Sequence, residues 1–237
     1  TEPCLQLLTA LQSQSTEGFQ YEGPAQTDSH ARSRFFAPTS LNELAELRQT
    51  LPEARLLAGS TDVGLWVTKQ FKALGDIIYL GQVPELRRIL APQRQPGEPE
   101  VLDIGAAVTL EEAWSTLVER MPELREIWLR FASPPVRHAG TLVGNLANGS
   151  PIGDSAPILL ALGATLVLRA GQRTRELPLS AFYLEYMKNA LMPGEFIQSV
   201  RVPMARPVAN NTGGTDVLRA YKISKRRDSD ISAVCAG

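Results

Sequence analysis

The sequence predicts an α+β fold, because short strands and short helices follow one another along it without strict alternation. Apolar runs at residues 55–58 and 76–80 are typical of buried strands, whereas leucines at helical spacing between residues 41 and 51 indicate a helix. Of the 237 residues, 43% are hydrophobic, so the chain can bury one large core or two small ones.

The N-terminal half is expected to begin with a polar linker or arm at residues 1–34. Ser40 and Glu43 occupy capping-box positions before the first helix, and Thr109 is expected to cap a helix at 110–120. The other expected elements are a short helix or strand at 85–90, a surface loop at 91–100, a strand pair or bend at 101–108 and a helix at 123–131.

The C-terminal half is expected to be richer in strands and loops. In order, we expect a long loop at 133–154, a helix at 157–162, a hairpin of strands 165–169 and 173–177, a strand at 196–202, a polar loop at 206–216 and a new strand from residue 218. The chain begins at Thr1 and stops within this last pattern, so we expect it to be a piece of a longer polypeptide.

Composition argues against several classes of function. The net charge of −1 gives no general reason to expect binding to nucleic acid or to a charged membrane surface. The longest apolar run, residues 156–168, is too short to cross a bilayer, and no signal-peptide pattern is present. Cys4 and Cys235 lie far apart and lack metal-ligand spacing, which favours a reducing, cytoplasmic setting and predicts no metal site.

The first candidate site is the turn at residues 59–62. Gly59 permits a tight turn, and Ser60, Thr61 and Asp62 are residue types that cap helices. A helix is expected to follow, with an apolar stripe formed by Val63, Trp66, Val67, Phe71 and Leu74. A helix N-terminus favours an anion, and phosphate is the obvious one. The turn matches neither the dinucleotide glycine fingerprint nor the P-loop, and a plain capped helix is the alternative.

The second candidate site is the stretch of residues 131–154. It contains four glycines, Gly140, Gly144, Gly149 and Gly153, and four short polar side chains, Asn145, Asn148, Ser150 and Asp154. A loop of this length is often functional, and such side chains can bind phosphates and hydroxyls of a ligand. The alternative is an elaborate turn whose side chains bond to its own backbone.

Four segments together resemble a known family. They are LLAGSTD at residues 56–62, FA at 131–132, GNLANGSPIGD at 144–154 and YKISKRRDSDI at 221–231. In this order and spacing they are similar to the FAD-binding domain of the xanthine dehydrogenase family of molybdenum hydroxylases. The family also contains aldehyde oxidases and the flavin subunits of aerobic carbon monoxide dehydrogenases. The segments are most similar to those of bacterial xanthine dehydrogenase small subunits.

The resemblance implies a two-subdomain FAD-binding fold of the vanillyl-alcohol-oxidase/molybdopterin-dehydrogenase type. The two subdomains would comprise residues 35–85 and 86–205. Residues 206–237 would form a loop and the start of a C-terminal α+β domain.

The resemblance also assigns residues to FAD. They are Leu56, Leu57, Ala58, Gly59, Ser60, Thr61, Asp62, Val63, Phe131, Ala132, Thr141, Gly144, Asn145, Asn148, Ser150, Asp154, Ile197 and Lys222. Residues 57–63 would cradle the diphosphate, and the polar residues of 145–154 would bind the diphosphate, ribityl and ribose groups. Phe131 and Ile197 would lie near the adenine, Lys222 near the polar edge of the flavin, and Asp228 near the entry for nicotinamide.

The implied activity is one step in a chain of electron transfers. Electrons from the oxidation of hypoxanthine or xanthine at a molybdenum cofactor on a large partner subunit would pass through two 2Fe–2S clusters to FAD, and then as hydride to NAD⁺. The clusters would belong to an iron–sulfur domain of the same or another chain. No residue of this chain is expected to act as a catalytic acid or base. The alternatives are a flavin subunit serving an aldehyde, nicotinate or carbon monoxide hydroxylase, and an assembly module without flavin turnover.

Overall fold

The computed structural model describes residues 18–23, 33–91, 100–204, 218–225 and 231–237. Its α-helices are α1 (Leu41–Thr50), α2 (Val63–Thr68), α3 (Leu110–Arg120), α4 (Arg125–Arg130), α5 (Pro134–Ala139), α6 (Leu142–Asn148) and α7 (Ser155–Ala161). Short 3₁₀ turns span Pro84–Arg87, Pro122–Leu124 and Leu179–Ala181. Among the described residues, no helix is long and apolar enough to cross a membrane.

The strands form two larger sheets and two hairpins. They are β1 (Phe19–Glu22), β2 (Arg34–Ala37), β3 (Arg55–Leu57), β4 (Ile77–Tyr79), β5 (Ile89–Leu90), β6 (Val101–Gly105), β7 (Thr165–Ala170), β8 (Arg173–Pro178), β9 (Tyr183–Glu185), β10 (Lys188–Asn189), β11 (Phe196–Pro203), β12 (Tyr221–Ser224) and β13 (Ser232–Ala236). The expected mixture of helices and strands is therefore confirmed. The predicted loop at 206–216, and all but the ends of the loop predicted at 91–100, lie outside the described residues.

The first sheet has the order β1-β2-β4-β3. Strands β2, β4 and β3 are parallel, and β1 pairs with β2 in the antiparallel sense. Strand β1 lies within the segment predicted to be a polar linker or arm, and alternating Phe19 and Tyr21 allow these residues to extend the sheet. Strand β3 lies at an edge, and its carboxyl end leads directly into the candidate turn at residues 59–62.

The second sheet is antiparallel, with the order β5-β6-β11-β7-β8. Its central strand, β11, buries Phe196, Val200 and Val202 completely. The hairpin expected around residue 171 is confirmed, and Gly171 takes the positive φ of 57° that its tight turn needs. The last strand of the first sheet ends at residue 79, and the first strand of the second sheet begins at residue 89. The boundary expected between the two subdomains, at residues 85 and 86, falls between these strands and stays a prediction.

Helix α3 has the predicted bounds and the predicted cap. The Thr109 side chain accepts from the backbone N–H of Glu112, and the Glu112 carboxylate accepts from the backbone N–H of Thr109. Its buried stripe is Leu110, Ala113, Trp114, Leu117 and Val118. At α1 only half of the expected capping box forms. Ser40 accepts from Glu43, but the Glu43 carboxylate accepts from the N–H of Thr39 instead of that of Ser40.

Helix α2 is shorter than predicted, and its apolar residues do not join the core. It ends at Thr68, none of its residues is buried, and Phe71 lies beyond it at 88% exposure with a φ of 52°. Gly64 and several β-branched residues lower the helix propensity of the segment. Its central Trp66 instead stacks with two cations, the guanidinium of Arg55 at 4.8 Å and the ammonium of Lys72 at 5.5 Å from the ring centroid.

The long loop predicted at residues 133–154 is wrong in its secondary structure, because helices α5 and α6 occupy much of it. Pro134 and Pro135 begin α5, where missing N–H groups cost nothing. Thr141 caps α6, and Gly149 ends it in the left-handed conformation. These start and stop signals were present in the sequence, but the density of glycine and asparagine obscured them.

Candidate functional site

A cavity of about 600 Å³ lies where the two candidate segments meet. The turn at residues 58–63 forms one wall and residues 140–153 form another. Met187 in the turn of the β9–β10 hairpin, Leu191 just after it, and the apolar side chains of Phe131 and Ile197 also line the cavity. Cavities of roughly 300–1,000 Å³ with a few polar groups on apolar walls are typical of small-molecule sites.

The structure brings most of the predicted site residues to this cavity. All of them line it except Leu57, Asp154 and Lys222. Leu56 lines the cavity, whereas Leu57, the next residue of strand β3, does not. Arg55, on the other side of Leu56, lines it as well, so strand alternation alone does not decide which of these residues reach the cavity.

Asp154 and Lys222 pair with each other away from the cavity wall. The Lys222 ammonium lies 2.6 Å from one Asp154 oxygen, and both side chains are almost fully buried. The Ser232 hydroxyl donates to the other Asp154 oxygen. Both carboxylate oxygens are thus engaged, and the β12–β13 hairpin is fastened to the start of α7. Burial and the neighbouring Asp154 raise the pKa of the Cys235 thiol, in the same cluster, to about 12.

The backbones of the two candidate segments touch at Gly59. A Cβ atom built there would lie 2.0 Å from the carbonyl oxygen of Ala139 and 2.6 Å from the Cα of Gly140. Only a glycine allows this approach. The contact sets the spacing between the turn and the segment that carries α6.

Asp62 does not act as the expected helix cap. It occupies the N-cap position of α2, but its carboxylate makes no capping bond. Instead it accepts a 3.1 Å hydrogen bond from the side-chain amide of Asn148. The tertiary partner, 86 residues away, replaces the local one and ties α6 to the turn.

The start of α6 presents polar groups to the cavity. The Thr141 hydroxyl accepts from the N–H of Gly144 at 3.0 Å, and both residues line the cavity. The side-chain oxygen of Asn145 is buried and has no hydrogen-bond partner within the described part of the chain. A buried oxygen of this kind is costly unless a ligand or water supplies a donor.

Two other properties distinguish the cavity. The charged side chains among its described lining residues are Arg55 and Asp62, and the Arg55 Nε is buried without a hydrogen-bond partner there. Ser60, Ala132 and Met187 line the cavity with φ values between 53° and 57°, although none is a glycine. Backbone strain of this kind concentrates at ligand sites.

Sequence reasoning missed several lining residues, among them Arg55, Trp66, Met187 and Leu191. Gly140 was expected in the second candidate segment as one of its four glycines but was not assigned to FAD, and it lines the cavity. Met187 and Leu191 had no detectable signal, since no motif connects residues 183–191 with the two glycine-rich segments. Asp228, expected near a nicotinamide entry, lies outside the described residues.

Residues 30–205 match the family described as the FAD binding domain in molybdopterin dehydrogenase. The chain belongs to this family. The expected resemblance is thereby confirmed, and the fold is the expected FAD-binding one.

Two curated relatives come from Emericella nidulans. Its xanthine dehydrogenase is 33% identical over 86% of this chain and 15% of the relative's length. Its nicotinate hydroxylase is 29% identical over 87% of this chain and 16% of the relative's length. The chain thus spans about a sixth of the length of these relatives.

A solved structure of carbon monoxide dehydrogenase from Hydrogenophaga pseudoflava superimposes with a TM-score of 0.68. It is 29% identical and covers 84% of this chain and 65% of the matched chain. The family and this match agree on the fold, whereas the names of the relatives differ in their substrates.

The residues that line the cavity are suited to binding FAD. The orphaned Asn145 oxygen can accept from a ligand hydroxyl, and Ser60 and Thr61 supply hydroxyl groups on the opposite wall. Phe131 and Ile197 supply apolar wall for an aromatic ring. The described residues contain no cluster of three or more acidic, histidine or cysteine side chains that could hold a metal ion.

Proposed function

We propose that the cavity binds FAD and that the chain is the flavin-carrying, electron-transfer portion of a xanthine dehydrogenase. The observation that carries this proposal is the convergence of two distant glycine-rich segments on one cavity that contains an unpartnered amide oxygen. The family match and the identity to a xanthine dehydrogenase support it.

The diphosphate is proposed to lie against residues 59–63, where Ser60 and Thr61 offer hydroxyls beside backbone N–H groups. Asn145, Asn148 and Ser150 would bind sugar hydroxyls from the opposite wall. Phe131 and Ile197 would pack on the adenine. Lys222 and Asp154 would not contact the cofactor. Their buried ion pair would hold residues 150–154 in position.

When bound, FAD would supply the redox chemistry that links iron–sulfur clusters to NAD⁺ as the proposed acceptor. The protein residues bind and orient the cofactor, and the apolar walls exclude water from it. A large subunit with a molybdenum cofactor and an iron–sulfur domain are the proposed partners, with hypoxanthine or xanthine as the proposed substrate and the cytoplasm as the proposed location.

A second candidate is a flavin portion that serves another molybdenum hydroxylase. The identity to a nicotinate hydroxylase and the structural match to a carbon monoxide dehydrogenase favour it. Both candidates use the same cavity and differ in the partner subunit.

The test is a visible absorption spectrum of the purified chain after incubation with FAD and removal of unbound FAD by gel filtration, before and after anaerobic NADH. We expect flavin absorption bands that NADH bleaches. Bands that NADH does not bleach would support FAD binding but contradict NAD⁺ as the acceptor. A folded sample that retains no flavin would contradict the proposal and favour an assembly module without flavin turnover.

A further inference from the structure

The β9–β10 hairpin packs against the C-terminal end of helix α6. The Tyr183 hydroxyl donates to the carbonyl oxygen of Leu146 at 3.0 Å, and the Asn189 side-chain amide donates to that of Ala147 at 3.4 Å. The Leu146 carbonyl also accepts from the backbone N–H of Gly149 at 3.1 Å, so Tyr183 is its second donor. The hairpin therefore adds two side-chain hydrogen bonds to the last turn of α6, where carbonyl groups have few partners within the helix.

Tyr183 is a rigid support for this helix end. Its ring meets the fully buried ring of Phe182 edge to face at 5.1 Å. A Cβ atom at Gly149, the residue that ends α6, would lie 3.6 Å from the Tyr183 ring. Burial raises the pKa of Tyr183 to about 12, so its hydroxyl remains a donor throughout the ordinary pH range.

Helix α6 connects this support with the cavity. Asn145, Ala147 and Asn148 line the cavity, and the Asn148 amide reaches Asp62 in the opposite wall at 3.1 Å. A continuous chain of contacts thus runs from Tyr183, through the last turn of α6, to the turn that precedes α2. Tyr183 itself is not among the described residues that line the cavity.

We propose that Tyr183, assisted by Asn189, is a positioning residue for the cofactor. Its hydroxyl fixes the last turn of α6 and so keeps the amides of Asn145 and Asn148 directed at the ligand. The inference rests on the proposed function, because the ligand is FAD.

The test is Tyr183→Phe in the full 237-residue chain, which removes the hydroxyl and keeps the ring. FAD affinity is measured by titration of flavin fluorescence at a temperature well below unfolding. We expect Kd to rise about threefold to tenfold, the usual result of losing one neutral hydrogen bond. Tyr186→Phe is the matched control, since Tyr186 lies in the same hairpin at 81% exposure, and Kd should stay unchanged.

A double-mutant cycle with Asn148→Ala separates positioning from general stability. If Tyr183 acts through α6, Tyr183→Phe will weaken FAD binding much less in the Asn148→Ala background than in the wild type. Equal weakening in both backgrounds would overturn the inference. A lower unfolding temperature with unchanged FAD affinity would also overturn it, because the tyrosine would then be purely structural.

Asn189→Ala provides a second test if Tyr183→Phe does not fold. We expect a smaller rise in Kd, about twofold to threefold, because its bond is longer. An unchanged Kd would overturn the inference. A wild-type chain that binds no FAD would overturn the proposed function together with this inference, whereas binding that both variants leave unchanged would overturn this inference alone.

Discussion

The segment of residues 140–154 takes part in two polar clusters of opposite character. At the cavity, the Asn145 oxygen has no partner within the described chain, and three lining residues that are not glycine have positive φ. At Asp154, one oxygen pairs with Lys222 and the other accepts from Ser232, and the ion pair is almost completely buried. The cavity therefore leaves an acceptor open to a ligand, whereas the Asp154 ion pair connects the β12–β13 hairpin to the start of α7. Three predictions test this contrast.

The largest effect is expected at the Asp154 cluster. Lys222→Met leaves a buried carboxylate without its cation, so the free energy of unfolding should fall by about 3–5 kcal/mol. Urea denaturation measures it. The control is Lys188→Met in strand β10. The Lys188 ammonium lies 3.5 Å from the Glu185 carboxylate, and both side chains are exposed. Removing this ion pair should lower the free energy of unfolding by less than about 1 kcal/mol. Similar losses in the two variants would contradict the contrast.

An intermediate effect is expected where the two segments touch. Gly59→Ala places a Cβ atom against the Ala139 carbonyl, which must move, so we expect a loss of about 1–3 kcal/mol in the free energy of unfolding. Gly64→Ala is the matched control, because a Cβ atom there meets nothing within 4 Å and lies inside helix α2. Gly64→Ala should raise the free energy of unfolding by about 0.5–1 kcal/mol. Thermal unfolding of both variants decides, and a harmless Gly59→Ala would refute the close contact.

The smallest effect on stability is expected at Cys235. Its pKa of about 12 lies above that of a free thiol, so the protonated thiol favours the folded state. This contribution is complete below about pH 8.5 and is lost as the pH rises toward about 12. In a Cys4→Ser variant, iodoacetamide at pH 8 should alkylate the folded chain at least roughly tenfold more slowly than the urea-unfolded chain. Equal rates would show that the half-buried thiol is not protected by its position beside Asp154.

Much of the fold could be predicted where local signals agree with burial. Helix α3 combines a capping box with a clean apolar stripe, and its bounds were predicted correctly. Helix α2 had a stripe as well, but an apolar stripe is buried only when another element covers it. The helices in 133–154 were missed because residues that favour turns also cap helices.

The amino-acid sequence by itself determined which segments carry the candidate site and which family the chain belongs to, because short glycine-rich turns fix local geometry. Only the tertiary structure decided which side chains face the cavity. Leu57 does not line the cavity although Leu56 does, Asp154 pairs with Lys222 instead, and the β9–β10 hairpin brings Met187 to the cavity and Tyr183 against α6. These outcomes depend on partners dozens of residues away, and such contacts leave no periodic or local signal in a single sequence.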